Sequence, residues 1–130
     1  MSIAESSVLA RQSAVFSPAH GLLLVLNPPL ALPEELMAAA HAACYAMALN
    51  ATLGRKQASA ERTVVTAKIS ADRGDAGITI TTSELTVTAY GLKGVEAGQF
   101  QAVAEEAEGK CPVSNAYRGS MQITVKASVA

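Results

Sequence analysis

The sequence predicts a single α+β domain over residues 1–130, with a mostly antiparallel sheet. One long alanine-rich segment has the composition of a helix, and a second segment has helical spacing of its apolar residues. The segments around them are β-branched or alternate between apolar and polar residues, and short turns connect them in pairs. With 130 residues, 50% of them hydrophobic, the chain is long enough to bury its own core.

The first two predicted strands form a hairpin. Residues 4–16 and 21–26 are apolar and β-branched in patches, and the sequence SPAHG at residues 17–21 separates them. The stretch NPPLALP that follows, residues 27–33, predicts a rigid connector because proline fixes φ and removes a donor.

The alanine-rich segment predicts a long helix over residues 33–53. Pro33 suits the first helical position, and the glutamates that follow it suit the positive end of the helix dipole. Gly54 provides a stop. Because this helix is apolar on nearly every face, we expect it to be central and buried.

A second hairpin is predicted from residues 62–70 and 78–90, with a turn at residues 71–77. The apolar parity of the later strand changes between Ile80 and Leu85, which predicts a bulge or bend.

The remaining chain predicts a helix near residues 96–108, a turn at Cys111–Pro112 that opens a short helix, and a final strand. In that strand, residues 121–129, apolar and polar residues alternate, as in a half-buried strand.

Composition narrows the classes of function. The formal net charge is −1 and no basic block is present, which argues against nucleic acid as a partner. The N-terminus lacks an export pattern, and the longest apolar run, residues 22–26, is too short to span a bilayer. We therefore expect a cytoplasmic protein that does not enter the membrane. Because the cytoplasm is reducing, we expect its two cysteines to be reactive or metal-binding rather than permanently bridged.

Each cysteine has more than one interpretation. Cys44 is either a small core residue or a thiol paired with His41 one turn earlier, and a neutral core histidine is the favoured reading of His41. Cys111 is either a turn residue or the cap of a helix beginning at Pro112, a position that lowers a thiol pKa. A metal site formed by both cysteines together with His20 and His41 is disfavoured, because the spacing of these four residues matches no zinc pattern.

Two stretches, LPEELMAAAHAACYAMAL and CPVSNAYRG, resemble the OsmC/Ohr family of thiol-dependent hydroperoxide peroxidases. The resemblance extends from about residue 33 to the C-terminus, and the branch of the family stays open. The matching residues are Pro33, Glu34, Glu35, Leu36, Ala43, Cys44, Tyr45, Cys111, Pro112 and Ser114.

The resemblance implies an OsmC-like fold, an intertwined homodimer whose sheets wrap around two long central helices. It also implies that Cys44 is the peroxidatic thiol, which attacks an organic hydroperoxide and becomes a sulfenic acid. Cys111 is then the resolving thiol that closes a disulfide, and a dithiol, lipoyl-bearing in one branch, restores both. The resemblance implies no cofactor or metal. An apolar pocket near Leu36 and Met47 would favour organic hydroperoxides over hydrogen peroxide as substrates.

In the family, an arginine held by a glutamate stabilises the thiolate. Glu34 matches the glutamate, but ten helical residues span about 15 Å. Either the arginine bridges much of that distance or Glu34 serves a partner subunit, and we favour the second. Arg11 matches the arginine by context alone, with Arg55 and Arg118 as less favoured candidates. If no arginine acts, the alternative is a non-enzymatic module that binds a hydrophobic small molecule.

Overall fold

The computed structural model describes residues 7–26, 33–75 and 77–130. Over these residues the chain forms five strands, three α-helices and a short 3₁₀ turn, Ala97–Gln99, before the second helix. In chain order the elements are β1 (Ser7–Ser17), β2 (Gly21–Val25), α1 (Pro33–Arg55), β3 (Arg62–Gly74), β4 (Gly77–Tyr90), α2 (Phe100–Gly109), α3 (Pro112–Tyr117) and β5 (Gln122–Val129).

The five strands form one sheet in the order β2-β1-β3-β4-β5. Three of the four neighbouring pairs are antiparallel, which confirms the predicted α+β class. The pair β4–β5 is parallel, because the chain crosses back through α2 and α3 before it enters β5.

Helix α1 packs on one face of the sheet and supplies much of the core. Tyr45 and Leu49 on its inner side are completely buried, and the Tyr45 hydroxyl donates to the Ala104 carbonyl of α2 at 2.8 Å. The opposite side of α1 stays open in the single chain, with Leu36 60% and Met47 56% exposed. The expectation of burial on every face is therefore met on the sheet side only, because a single sheet covers one side of a helix.

The length and composition of α1 would suit a membrane span, since its most apolar window has a mean hydropathy of 1.3. Half of that window is buried within the fold, as in the core helix of a globular domain.

The predicted irregularity in the second hairpin is confirmed as a bulge. Ser70 pairs with Thr82 and Ala71 with Ile80, so Thr81 is the extra residue. The turn is shorter than residues 71–77, because the two strands continue to Gly74 and begin again at Gly77. Residues 4–6 of the predicted first strand and 27–32 of the predicted connector lie outside the described residues.

The C-terminal elements follow their sequence patterns. Helix α2 buries its helically spaced apolar residues, which are Phe100, Val103, Ala104 and Ala107. The 3₁₀ turn occupies the start of the segment predicted as helix from residue 96. Strand β5 alternates between exposed and partly buried side chains, as expected for a half-buried strand.

Candidate active site

The two thiols lie together where α1 passes the beginning of α3. Cys44 is partly buried on α1, and Cys111 is completely buried at the N-cap of α3. Both cysteines are free, and they lie close enough for the Cys111 thiol to affect the ionisation of Cys44. The fold thus brings together two residues that are far apart in the sequence.

The first turn of α3 directs backbone N–H groups at both sulfurs. The Ser114 N–H donates to Cys111 Sγ at 3.5 Å, and the Val113 N–H lies near enough to Cys44 to lower the pKa of its thiol. Pro112 stands at the first helical position, where a missing N–H costs nothing. The predicted cap at Cys111 is therefore confirmed, and the same turn also serves Cys44.

In the single chain, burial raises the pKa of the Cys44 thiol above its ordinary value. The Val113 N–H opposes this by stabilising the thiolate, while the neighbouring Cys111 thiol raises the pKa further. Burial outweighs the backbone donor, so Cys44 stays protonated near neutral pH. A reactive thiolate at this position needs an additional positive charge.

His41 does not activate Cys44. Its Nδ1 bonds to the Ser83 hydroxyl and its Nε2 to the Ser114 hydroxyl, each at 2.7 Å. Burial lowers the pKa of this histidine to about 4, so it is neutral at physiological pH. The interpretation of His41 as a neutral core histidine is confirmed.

Arg11 and Glu34 are not at the thiols of their own chain. Arg11 is exposed on β1 between the buried Ala10 and Gln12, so its side chain leaves the sheet on the face opposite α1. Glu34 is partly buried in the first turn of α1, about 15 Å along the helix from Cys44.

The two other candidate arginines have different surroundings. Arg118 forms a bidentate ion pair with Glu108, which raises its pKa, and its guanidinium also donates to Asn115 Oδ1 at 2.9 Å. It thereby holds the chain after Cys111. Arg55 lies in the last turn of α1 and donates to Thr52 Oγ1 at 3.1 Å, three turns beyond Cys44.

Several contacts near the site have no local signal in the sequence. Ser83 is a serine in the middle of β4, and only the folded sheet places it beneath His41. Gln12 is completely buried and donates to Glu35 at 2.8 Å, which joins β1 to the start of α1. The Tyr117 hydroxyl donates to the Met37 carbonyl at 3.0 Å and joins α3 to the same helix.

His20 lies in the exposed β1–β2 turn and bonds to Ser17, whereas His41 and both cysteines are in or near the core. Within the described ranges, no three His, Cys, Asp or Glu side chains are arranged to hold a metal ion.

The chain belongs to the OsmC-like protein family, whose sequence profile matches residues 30–126. It is 36% identical over 91 residues to the peroxiredoxin OsmC of Escherichia coli strain K12, covering 70% of this chain and 63% of that protein. It is 34% identical over 96 residues to the organic hydroperoxide resistance protein OhrA of Bacillus subtilis strain 168, covering 72% of this chain and 64% of that protein. The matched part of the chain thus spans less than two thirds of the length of either relative.

Solved structures support the same fold. An organic hydroperoxide resistance protein from Elizabethkingia anophelis superposes with a TM-score of 0.66 at 26% identity, over 95% of this chain and 96% of that one. The organic hydroperoxide resistance protein OhrB of Bacillus subtilis superposes with a TM-score of 0.62 at 19% identity, over 95% of this chain and 98% of that one. The expected OsmC-like fold is therefore confirmed.

Proposed function

We propose that this chain is a thiol-dependent peroxidase that reduces organic hydroperoxides to alcohols. The observation that carries the proposal is that the fold brings the free Cys44 and Cys111 thiols close together at the N-terminus of α3. The similarity to a peroxiredoxin and to organic hydroperoxide resistance proteins supports it.

In the first step, the Cys44 thiolate attacks the distal oxygen of the hydroperoxide. The O–O bond breaks, a sulfur–oxygen bond forms, and the departing alkoxide takes a proton to become the alcohol. The sulfur is oxidised to a sulfenic acid and the peroxide is reduced. The nearby Val113 N–H, which lowers the pKa of Cys44, favours the thiolate before the attack.

In the second step, the Cys111 thiolate attacks the Cys44 sulfur. A disulfide forms, the S–O bond breaks, and the hydroxide leaves as water after taking a proton. The two thiols lie near each other in the reduced chain, as this step requires. A dithiol, which we take to be lipoyl-bearing or similar, restores both thiols by exchange and becomes a disulfide itself. The predicted cytoplasmic location suits such a reductant.

A second copy of the chain completes the site. The exposed side of α1 carries an apolar stripe in which Cys44 is the central residue. We define this α1 stripe as Leu36, Ala40, Cys44, Met47 and Ala51. Its spacing of three and four residues is that of a helix face that packs against a partner, and a homodimer buries it.

In that dimer, a cation from the second copy lies close to Cys44 and lowers its pKa. Arg11 is the assigned arginine and Glu34 the carboxylate that holds it. The support is that neither residue is at Cys44 of its own chain, whereas Cys44 lies on the surface that the partner covers. The apolar residues Leu36 and Met47 around the thiol favour an organic substrate over hydrogen peroxide.

One observation favours a second function: Arg11 leaves the sheet on the face opposite α1. If no arginine reaches Cys44 in the dimer either, the chain keeps its apolar surface but has no reactive thiolate. That chain would be a non-enzymatic module that binds a hydrophobic small molecule.

Consumption of cumene hydroperoxide with a dithiol reductant separates these functions. We expect turnover by the wild type, none by Cys44→Ser, and a loss of about a hundredfold in Arg11→Ala, because a charge that stabilises the reacting sulfur is removed. The matched control is Arg62→Ala, whose exposed guanidinium lies over the Tyr90 ring, 4.1 Å from its centroid. A wild type that consumes no peroxide but binds a fatty acid would favour the binding module, and an unimpaired Arg11→Ala would assign the cation elsewhere.

A further inference from the structure

Cys111 depends on tertiary contacts for its position. The helix that it caps, α3, has only six residues, and a helix that short does not hold its shape alone. Among the contacts that connect α3 and the residue after it to the rest of the fold are those of Ser114, Tyr117 and Arg118. The Ser114 contact is the only one of these three that also touches the Cys111 sulfur, because the Ser114 backbone N–H donates to it.

The Ser114 side chain belongs to a buried network centred on His41. The imidazole bonds to Ser114 of α3 and to Ser83 of β4, and all three residues are completely buried. A neutral imidazole has one donor and one acceptor nitrogen, so one serine accepts and the other donates. Any arrangement of the three side chains that breaks one of these bonds leaves a buried polar group unsatisfied. The observed arrangement is therefore strongly preferred.

His41 also contacts α3 through an aromatic ring. The Tyr117 ring lies edge-on to the imidazole, with 5.2 Å between centroids and 75° between planes. Its hydroxyl is held by the Met37 carbonyl one turn before His41. Two side chains of α3 are therefore fixed against the same short section of α1.

Cys44 follows His41 by one turn of that rigid helix, so their separation is fixed. We propose that His41 is a positioning residue: through Ser114 it fixes α3 so that the Cys111 sulfur stays against the Cys44 sulfur. The catalytic meaning of this role rests on the proposed peroxidase function, but the positioning itself does not. His41 bonds to serines rather than to either sulfur, so it acts on the geometry of the pair and not on its reactivity.

The equilibrium between the Cys44–Cys111 disulfide and a dithiothreitol redox buffer tests the proposal without any peroxide. His41→Asn places an amide near Nδ1, where it retains the Ser83 bond, whereas His41→Gln places one near Nε2, where it retains the Ser114 bond. We expect His41→Asn and Ser114→Ala to lower the equilibrium constant for disulfide formation by about tenfold, and His41→Gln to stay close to the wild type.

Two controls separate positioning from a loss of stability. Thr52→Ala also removes a completely buried hydroxyl, but one that lies on α1 two turns beyond Cys44, so it should leave the disulfide equilibrium unchanged. In a Cys111→Ser background, His41→Asn should alter the alkylation rate of Cys44 by less than about twofold, because a neutral buried imidazole contributes no charge.

Equal disulfide equilibria in the Asn and Gln variants, or a wild-type equilibrium in Ser114→Ala, would overturn the positioning role. A wild type that forms the disulfide in the redox buffer but consumes no hydroperoxide contradicts the peroxidase function and leaves the role of His41 standing.

Discussion

The two thiols reach their common position by different means. Cys44 is held by a long helix, whereas Cys111 caps a short one, and its environment includes partners from distant parts of the chain. The sequence predicts the cap, because Cys111 and Pro112 are adjacent. It does not predict the partners of His41, since Ser83 and Ser114 are 42 and 73 positions away and no local pattern pairs either serine with the histidine.

The buried neutral His41 makes stability depend on pH. The unfolded histidine takes up a proton below about pH 6.5, but the native one does so only below about pH 4. Between these values the unfolded state binds more protons, so the free energy of unfolding falls as the pH falls, by at most about 3 kcal/mol. Denaturant unfolding from pH 7 to pH 4 should show this loss in the wild type and a smaller loss in His41→Gln.

His20→Gln is the matched control, because His20 is exposed in the β1–β2 turn. It should retain the full wild-type dependence on pH. Parallel curves for the wild type and His41→Gln would contradict the assignment of a neutral buried imidazole.

Elements with strong local patterns were predictable from the sequence. The limits of α1 follow from Pro33 and Gly54 to within two residues, and the bulge at Thr81 follows from the change of parity in β4. The parallel pairing of β5 with β4 was not predicted, because strand pairing across two helices is a long-range contact that local periodicity does not contain.

The orientation of Arg11 shows a different limit. Strand β1 alternates, but Gln12 is a polar residue on the core face and Val15 an apolar one on the outer face. Composition alone therefore does not determine which face holds Arg11. The pairing of β1 with β3 and the burial of Ala10 settle it, and they direct Arg11 away from the thiol of its own chain.

At the scale of the whole molecule, two apolar surfaces formed by described residues stay exposed in the single chain. One is the α1 stripe around Cys44. The other is β2, an edge strand whose side chains, together with the adjoining Leu26, are 39% to 62% exposed from residue 22 to residue 26. Exposed apolar edge strands invite pairing with another chain. Both features support the proposed homodimer, and the raised pKa of Cys44 in the single chain gives the dimer a chemical role.

We expect the wild type to be a dimer in light scattering and the double variant Leu36→Gln, Met47→Gln to be a monomer. Glutamine is neutral, so it removes the apolar contact without adding charge near the thiol. In a Cys111→Ser background, the pH dependence of alkylation should place the pKa of Cys44 below the ordinary thiol value in the dimer and above it in the monomer.

The control for this comparison is Glu96→Gln, which changes an exposed residue before the 3₁₀ turn whose side chain makes no cap hydrogen bond, and it should stay dimeric. A wild type that is monomeric at the concentrations where it turns over peroxide would contradict the shared site.

The most direct test of the paired thiols is a single turnover. The reduced protein is mixed with one equivalent of cumene hydroperoxide, and the products are examined by intact mass and peptide mapping. We predict the loss of two hydrogens per chain and one peptide pair joined through Cys44 and Cys111. Retention of both free thiols, or oxygen added at Cys44 with no link to Cys111, would contradict it.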